Sequence, residues 1–262
     1  MSANPVSDPD KLRRCMAKWW SANLRNRSLF AIRNPRYAIR ALIRDLFSMD
    51  EKFLAIATGS PSPAIRKYLS EPFEDAGFMS HLDAASRKMC NLQITSADCY
   101  AKRVVLQYAV ARASKPDFIL ETGIANGVSS AYLLLALHRN GRGALHSIEL
   151  GDTSYLPPGH LNGWIVPDSL RSRWSLHLGD SRELLPAVLK QLGTIDIFIH
   201  DSLHTYEHMK FEYREAYPHL RPGGVLISDD ALWNRAFPDF SREVGASASQ
   251  ILRGVGILQK PF

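Results

Sequence analysis

The chain of 262 residues has only three cysteines, Cys15, Cys90 and Cys99, and no CxxC pair. That argues against a disulfide framework and a cysteine-built zinc site. It suits a reducing compartment, so a cytoplasmic location is expected. Long hydrophobic runs are missing as well: the longest, "AYLLLAL" at 131–137, falls far short of the roughly 20 residues that span a bilayer. The opening "MSANPVSDPD" has no basic start followed by an apolar stretch, so no signal peptide is expected. Internal repeats and low-complexity tracts are absent too, which argues against solenoids and fibrous arrays. With 45% hydrophobic and 22% charged residues, the balance is that of a globular protein.

The net charge of +6 is unevenly placed. Residues 1–48 hold ten Lys or Arg against Asp8, Asp10 and Asp45, which leaves 22 cations against 23 acids elsewhere. Within this basic arm, "NPRYAIRALIRDLF" reads as a helix with Asn34 as N-cap and Pro35 at its first position. Ile39, Leu42, Ile43, Leu46 and Phe47 share one face, beside a stripe of Arg33, Arg36, Arg40 and Arg44. Three uses stay open for the arm: packing on its own domain, self-association, or peripheral contact with an anionic membrane, the last suggested by Trp19 and Trp20. No RNA-binding motif accompanies it.

"GSPSP" (59–63) breaks the helical pattern, and helices are expected around 64–70, 79–90 and from Ser96 to about Ala113. From residue 117 the rhythm changes. "DFILETG", "ALHSIEL", "SLHLGD", "IDIFIHD", "GGVLISDD" and "GVGILQK" read as strands, most of them alternating with helical patterns. Such alternation implies parallel strands with crossover helices. The expected architecture is a doubly wound, Rossmann-like α/β sheet, mostly parallel, with an N-terminal helical extension. The boundary is set at 1–95 and 96–262.

In such sheets a ligand sits beyond the carboxyl ends of the strands. The residues there are Glu121 and Gly123, then Glu149, Asp180, Asp201, and Asp229 with Asp230. A carboxylate at each of five strand ends is unusual, because strands disfavour Asp and Glu. The first turn, "ETGIANGVS", spaces Gly123 and Gly127 but has Ala125 where a dinucleotide fingerprint has its middle glycine. That weakens the case for NAD or FAD. Glu149 is placed to hold the two hydroxyls of a ribose, and Asp180 to accept from an adenine amine. A nucleoside without phosphates fits better than a dinucleotide; the plainer reading of Asp180 is a helix cap.

Residues 117–230 resemble a class I S-adenosylmethionine-dependent methyltransferase. "ILETGIANGVSS" is similar to the first motif of that superfamily, "HSIEL" to its ribose-binding acid, and "HLGDSRELLP" to its adenine-contacting segment. "FIHDSLHTYE" with "LRPGGVLISDDALW" resembles a narrower group, the divalent-metal-dependent O-methyltransferases of the macrocin and mycinamicin sugar type. The resemblance spans roughly 96–262 and leaves the arm unexplained. It implies S-adenosylmethionine held through Glu121, Gly123, Gly127, Glu149, Asp180 and Ser181. It also implies a divalent cation, magnesium first, on Asp201, Asp229 and Asp230, with His204 as base in an Asp-x-x-His pattern. The sugar enzymes carry Glu-Asp where this chain has Asp-Asp, which keeps the oxygen donors.

The chemistry suits those residue types. Methyl transfer to a hydroxyl needs nucleophile and methyl held in line and a proton removed. A cation stabilises the developing alkoxide, and a neutral imidazole takes the proton. His200, on the opposite face of its strand, is expected to be structural. His208 is expected to be solvated, although it could touch substrate. Trp164, Trp233 and Phe237 are candidate acceptor walls. Plainer readings are a surface or capping role for His204, and helix caps for Asp229 and Asp230. The expected activity is O-methylation of a small glycoside or natural-product intermediate. The alternatives are a metal-independent methyltransferase and a non-catalytic nucleoside-binding or membrane-attached module.

Overall fold

A computed structural model describes residues 50–89, 102–154, 156–246 and 248–262. The basic arm therefore lies outside the described residues, as do 90–101 at the expected start of the helix near Ser96. Helices α1 (Asp50–Thr58), α2 (Ser62–Ser70) and α3 (Ala76–Met89) come first, followed by α4 (Lys102–Ser114). The strands are β1 (Phe118–Thr122), β2 (Ala144–Glu149), β3 (Trp174–Leu178), β4 (Ile195–His200), β5 (Leu220–Ser228), β6 (Ala248–Leu252) and β7 (Val255–Gln259). Helix α5 (Val128–Asn140) joins β1 to β2, α6 (Ser181–Leu192) joins β3 to β4, and α7 (Tyr206–His219) joins β4 to β5. A short helix, α8 (Ala236–Glu243), precedes the final hairpin.

The seven strands form one sheet in the order β3-β2-β1-β4-β5-β7-β6. The first five are parallel, and β7 runs antiparallel to both β5 and β6. This is the expected doubly wound architecture, with one strand that was not expected. β6 was missed because "ASASQIL" has no clear apolar alternation, and its pairing with β7 supplies what its own pattern does not. Strand order reverses between β1 and β4, and there the connections leave to opposite faces and open a crevice.

Both faces of the sheet are covered. Ile119, Ile197, Ile199, Val225 and Ile227 point into a core shared with α4 and α5, while Leu120, Phe198 and Leu226 point into one shared with α6 and α7. That explains the unbroken apolar run "IFI" in β4: strands buried on both faces need no polar alternation. The described part of the N-terminal helices belongs to the first of these cores, through Phe53, Leu54, Ile65, Phe78 and Leu82. Phe78 meets Tyr132 of α5 edge to face at 5.1 Å. Glu71, after α2, accepts from Tyr108 Oη (2.6 Å) and Arg112 Nε (2.7 Å), both on α4. No helix among the described residues is long and apolar enough to cross a membrane.

Phe78→Ala should therefore cost about 3–5 kcal/mol of stability, the range for deleting a buried aromatic ring. Urea unfolding checks this. A loss under about 1 kcal/mol would mean that helices α1 to α3 do not share the core.

Candidate active site

At the reversal point the turn after β1 meets the end of β4. Gly123 has φ 78°, and a Cβ there would lie 2.2 Å from the carbonyl oxygen of Asp201. Only glycine fits both demands, so the close approach joins this turn to the loop that carries Asp201 and His204. Gly127, with φ 89°, packs instead against Gly163, whose Cα would be 2.6 Å from an added Cβ. Between them Ala125 takes φ 47°, a left-handed conformation that costs about 1–2 kcal/mol when a Cβ is present. Glu149 holds it there. Its Oε2 accepts from the amides of Ile124 and Ala125, each at 2.8 Å, and its Oε1 from the Leu150 amide at 2.9 Å. The Ala125 carbonyl accepts in turn from the Gly163 amide at 2.9 Å.

Glu121 lies behind this turn with only 1% of its surface exposed. Its carboxylate accepts from the hydroxyls of Ser129, Ser130 and Ser147. Burial pushes Glu121 up to about 7, against the pull of those three hydroxyls. Asp180 caps α6 by accepting from the Arg182 amide at 2.8 Å and remains exposed. Ser181 is buried, hydrogen-bonded to His208 Nε2 at 3.1 Å. Of the expected nucleoside contacts, Glu121 and Ser181 thus have internal partners, Glu149 shapes the turn, and Asp180 faces solvent.

The centre of the polar interior is a residue that the sequence reading passed over. Glu212 of α7 is fully buried. Its Oε2 takes Thr122 Oγ1 of β1 at 2.5 Å and His200 Nδ1 of β4 at 2.6 Å. Its Oε1 takes Ser202 Oγ at 2.8 Å and His208 Nε2 at 2.9 Å. Burial works to raise this carboxyl, but the bonds from His200 and His208 outweigh it and hold Glu212 well below the usual carboxylate range. His200 is structural, as expected. His208 corrects the expectation of a solvated histidine: it is 4% exposed and tied to Glu212 because α7 turns this face onto the sheet.

One step further out, His204 and three acids converge. His204 Nε2 lies 3.6 Å from Asp201 Oδ1 and 3.8 Å from Asp230 Oδ2. Asp229 and Asp230 would point to opposite faces of a regular strand, but Asp230 takes φ 45° and the chain turns there. Lost solvation and the neighbouring Asp229 charge push the Asp201 carboxyl well above its usual range, and Arg103 opposes them. Arg103 of α4 reaches in with Nη1 at 2.9 Å from Asp229 Oδ2. Burial first, then His200, lowers His204 to about 4, so its imidazole is neutral near pH 7. Among the described residues, no group of three or more His, Cys, Asp or Glu already stands in an arrangement that holds a metal ion.

The expected acceptor walls divide. Trp233 is 48% exposed, with its ring 5.3 Å from that of His204. Trp164 instead donates from Nε1 to Asn126 Oδ1 at 2.6 Å and braces the glycine turn. Phe237 is a correction: it is buried against Tyr213 and fills the space beside Gly256, so it is core and no wall.

Residues 120–231 match a family model described as a methyltransferase domain. Mycinamicin VI 2''-O-methyltransferase of Micromonospora griseorubida is 27% identical over 99 residues, 38% of this chain and 22% of that protein. Demethylmacrocin O-methyltransferase of Streptomyces fradiae is 26% identical over 114 residues, 42% of this chain and 25% of that protein. The chain thus spans about a quarter of the length of the curated relatives it matches. Among solved structures, an SAH-bound methyltransferase of Podospora anserina superimposes with a TM-score of 0.50 at 14% identity, over 71% of this chain and 88% of that one. A putative O-methyltransferase from Klebsiella pneumoniae gives 0.50 at 16% identity, over 70% and 90%. Residues 120–231 are therefore similar to a methyltransferase domain, and the sheet has the Rossmann-like fold of the solved methyltransferases it superimposes on.

Two outcomes follow for the buried acids. Glu212→Ala, which strands two histidines and two hydroxyls, should cost about 3–5 kcal/mol in denaturant unfolding; a cost below about 1 kcal/mol would contradict the hub. Glu121, held at about 7 in the fold, binds its proton more tightly there than in the unfolded chain, where glutamate titrates near about 4.3. Its stabilisation is present below the unfolded value and is lost as pH rises through about 7. The melting midpoint of the wild type should fall relative to Glu121→Gln between about pH 5 and about pH 8. Parallel curves for the two proteins would contradict this assignment.

Proposed function

We propose that the chain is an S-adenosylmethionine-dependent O-methyltransferase that methylates a hydroxyl of a small molecule, a glycoside or another natural-product intermediate, with help from a divalent cation. The observation that carries this reading is the meeting of a neutral His204 with Asp201 and Asp230 beside the glycine turn. The methyltransferase domain match and the names of the relatives support it.

The nucleoside would lie over the turn at Gly123, its ribose toward Glu149 and its adenine toward Asp180. The acceptor would stand between the sulfonium methyl and His204, with Trp233 as a flat wall. The acceptor oxygen attacks the methyl carbon, the carbon–sulfur bond breaks, and sulfur keeps the electron pair. The acceptor proton passes to His204 Nε2. His204 needs its free electron pair for this, which a neutral imidazole has.

The three carboxylates, crowded enough to raise Asp201, are oxygen donors of the chemistry a hard divalent cation takes, although among the described residues they do not stand as a metal-holding group. Asp201, Asp229 and Asp230 would hold magnesium there, and it would supply positive charge that eases ionisation of the acceptor hydroxyl. The metal-independent alternative draws its support from Arg103, which already faces Asp229.

The test is transfer of a labelled methyl group from S-adenosylmethionine to a panel of hydroxylated glycosides. His204→Ala should lower kcat by about 10²–10⁴-fold while cofactor binding persists. A wild type that binds the cofactor yet methylates no acceptor would favour the non-catalytic binding module. An unchanged kcat in His204→Ala would remove His204 as the base.

A further inference from the structure

Arg103 does not belong to the set of groups that methyl transfer requires, yet it stands inside it. Its guanidinium comes from α4, outside the strand-end loops that supply the acids. It contacts the nearly buried Asp229 at 2.9 Å, and its charge acts on both Asp201 and His204. Three carboxylates around one imidazole leave a surplus of negative charge that desolvation makes costly. A guanidinium is a permanent cation, and here it faces Asp229 Oδ2 as an ion pair, with no hydrogen bond made to that oxygen among the described residues. The acids are of the right chemistry for a divalent ion, yet none of their groupings already stands in a metal-holding arrangement.

We infer that Arg103 is the resident counter-cation of the acid cluster, and that it and a divalent metal ion compete for Asp229. Metal-free protein keeps its acids together through Arg103. Loading requires the guanidinium to leave Asp229 Oδ2, which weakens metal affinity and makes the site exchange its ion readily. The inference rests on reading these acids as a metal cradle, but it concerns binding alone and needs neither cofactor nor acceptor.

The test is titration of the full chain with manganese, followed by electron paramagnetic resonance of the free ion, with no S-adenosylmethionine present. Arg103→Met should bind manganese at least about tenfold more tightly than the wild type, because a unit charge a few ångströms from the ion has been removed. Arg103→Lys, which keeps the charge, should stay within about threefold of the wild type. Equal or weaker binding by folded Arg103→Met would overturn the competition and make Arg103 a support for Asp229. Absence of manganese binding in both the wild type and the variants would overturn it as well. If Arg103→Met does not fold, Arg103→Gln takes its place, with circular dichroism as the control. Failure of methyl transfer with this pattern intact would count against the proposed activity and leave the competition standing.

Discussion

The buried carboxylate of Glu212 joins three parts of the site. Thr122 belongs to β1, His200 ends β4 and Ser202 opens the loop behind it, and each places a polar atom on this one group. A buried anion is tolerable only when its oxygens are satisfied, and here four side chains satisfy it. The consequence is geometric. With β1, β4 and α7 fixed to a single point, the short segment 201–205 has little freedom, and Thr205 then caps α7 by accepting from the His208 amide at 3.3 Å. The glycine turn is fixed to the same segment by the close approach of Gly123 to the Asp201 backbone. The glycine turn and His204 are thereby held in one frame, as the in-line transfer proposed above would require.

Electrostatics divide the site into two layers. Inside, Glu212 is held anionic by its bonds from histidine and hydroxyl. Outside, burial and the charges of Asp229 and Asp230 raise Asp201, with His204 kept neutral by burial and Arg103 at the edge. The inner layer sets positions and the outer layer has charge left to respond to a ligand. The left-handed Ala125, held by Glu149, shows the same logic at the glycine turn, where local strain is kept in place by a neighbouring strand end.

Much of the sheet could be read from the sequence, because strands buried on both faces appear as apolar runs between turns. The positions of Gly123, Asp201 and His204 could be read as well, because they follow from where strands end. What escaped was set by tertiary packing. Glu212 sits in "TYEHMKFEYREAYPHL" and looks like one more solvated charge. Yet it shares a stripe with His208, Met209, Tyr213 and Ala216, all buried. An acid on the apolar stripe of a helix was the available signal, and it also explains why His208 is not solvated. Phe237 was misplaced for the converse reason: an aromatic near a strand end looks like a pocket wall until the packing against Gly256 is known.

The account depends on a pocket built for a nucleoside with no phosphates, at a turn where Ala125 stands in place of the second glycine. Calorimetric titration of the wild-type chain with S-adenosylhomocysteine and, separately, with NADH tests this most directly. The account predicts saturable, one-to-one binding of S-adenosylhomocysteine and none of NADH. Binding of NADH, or of neither, would contradict it.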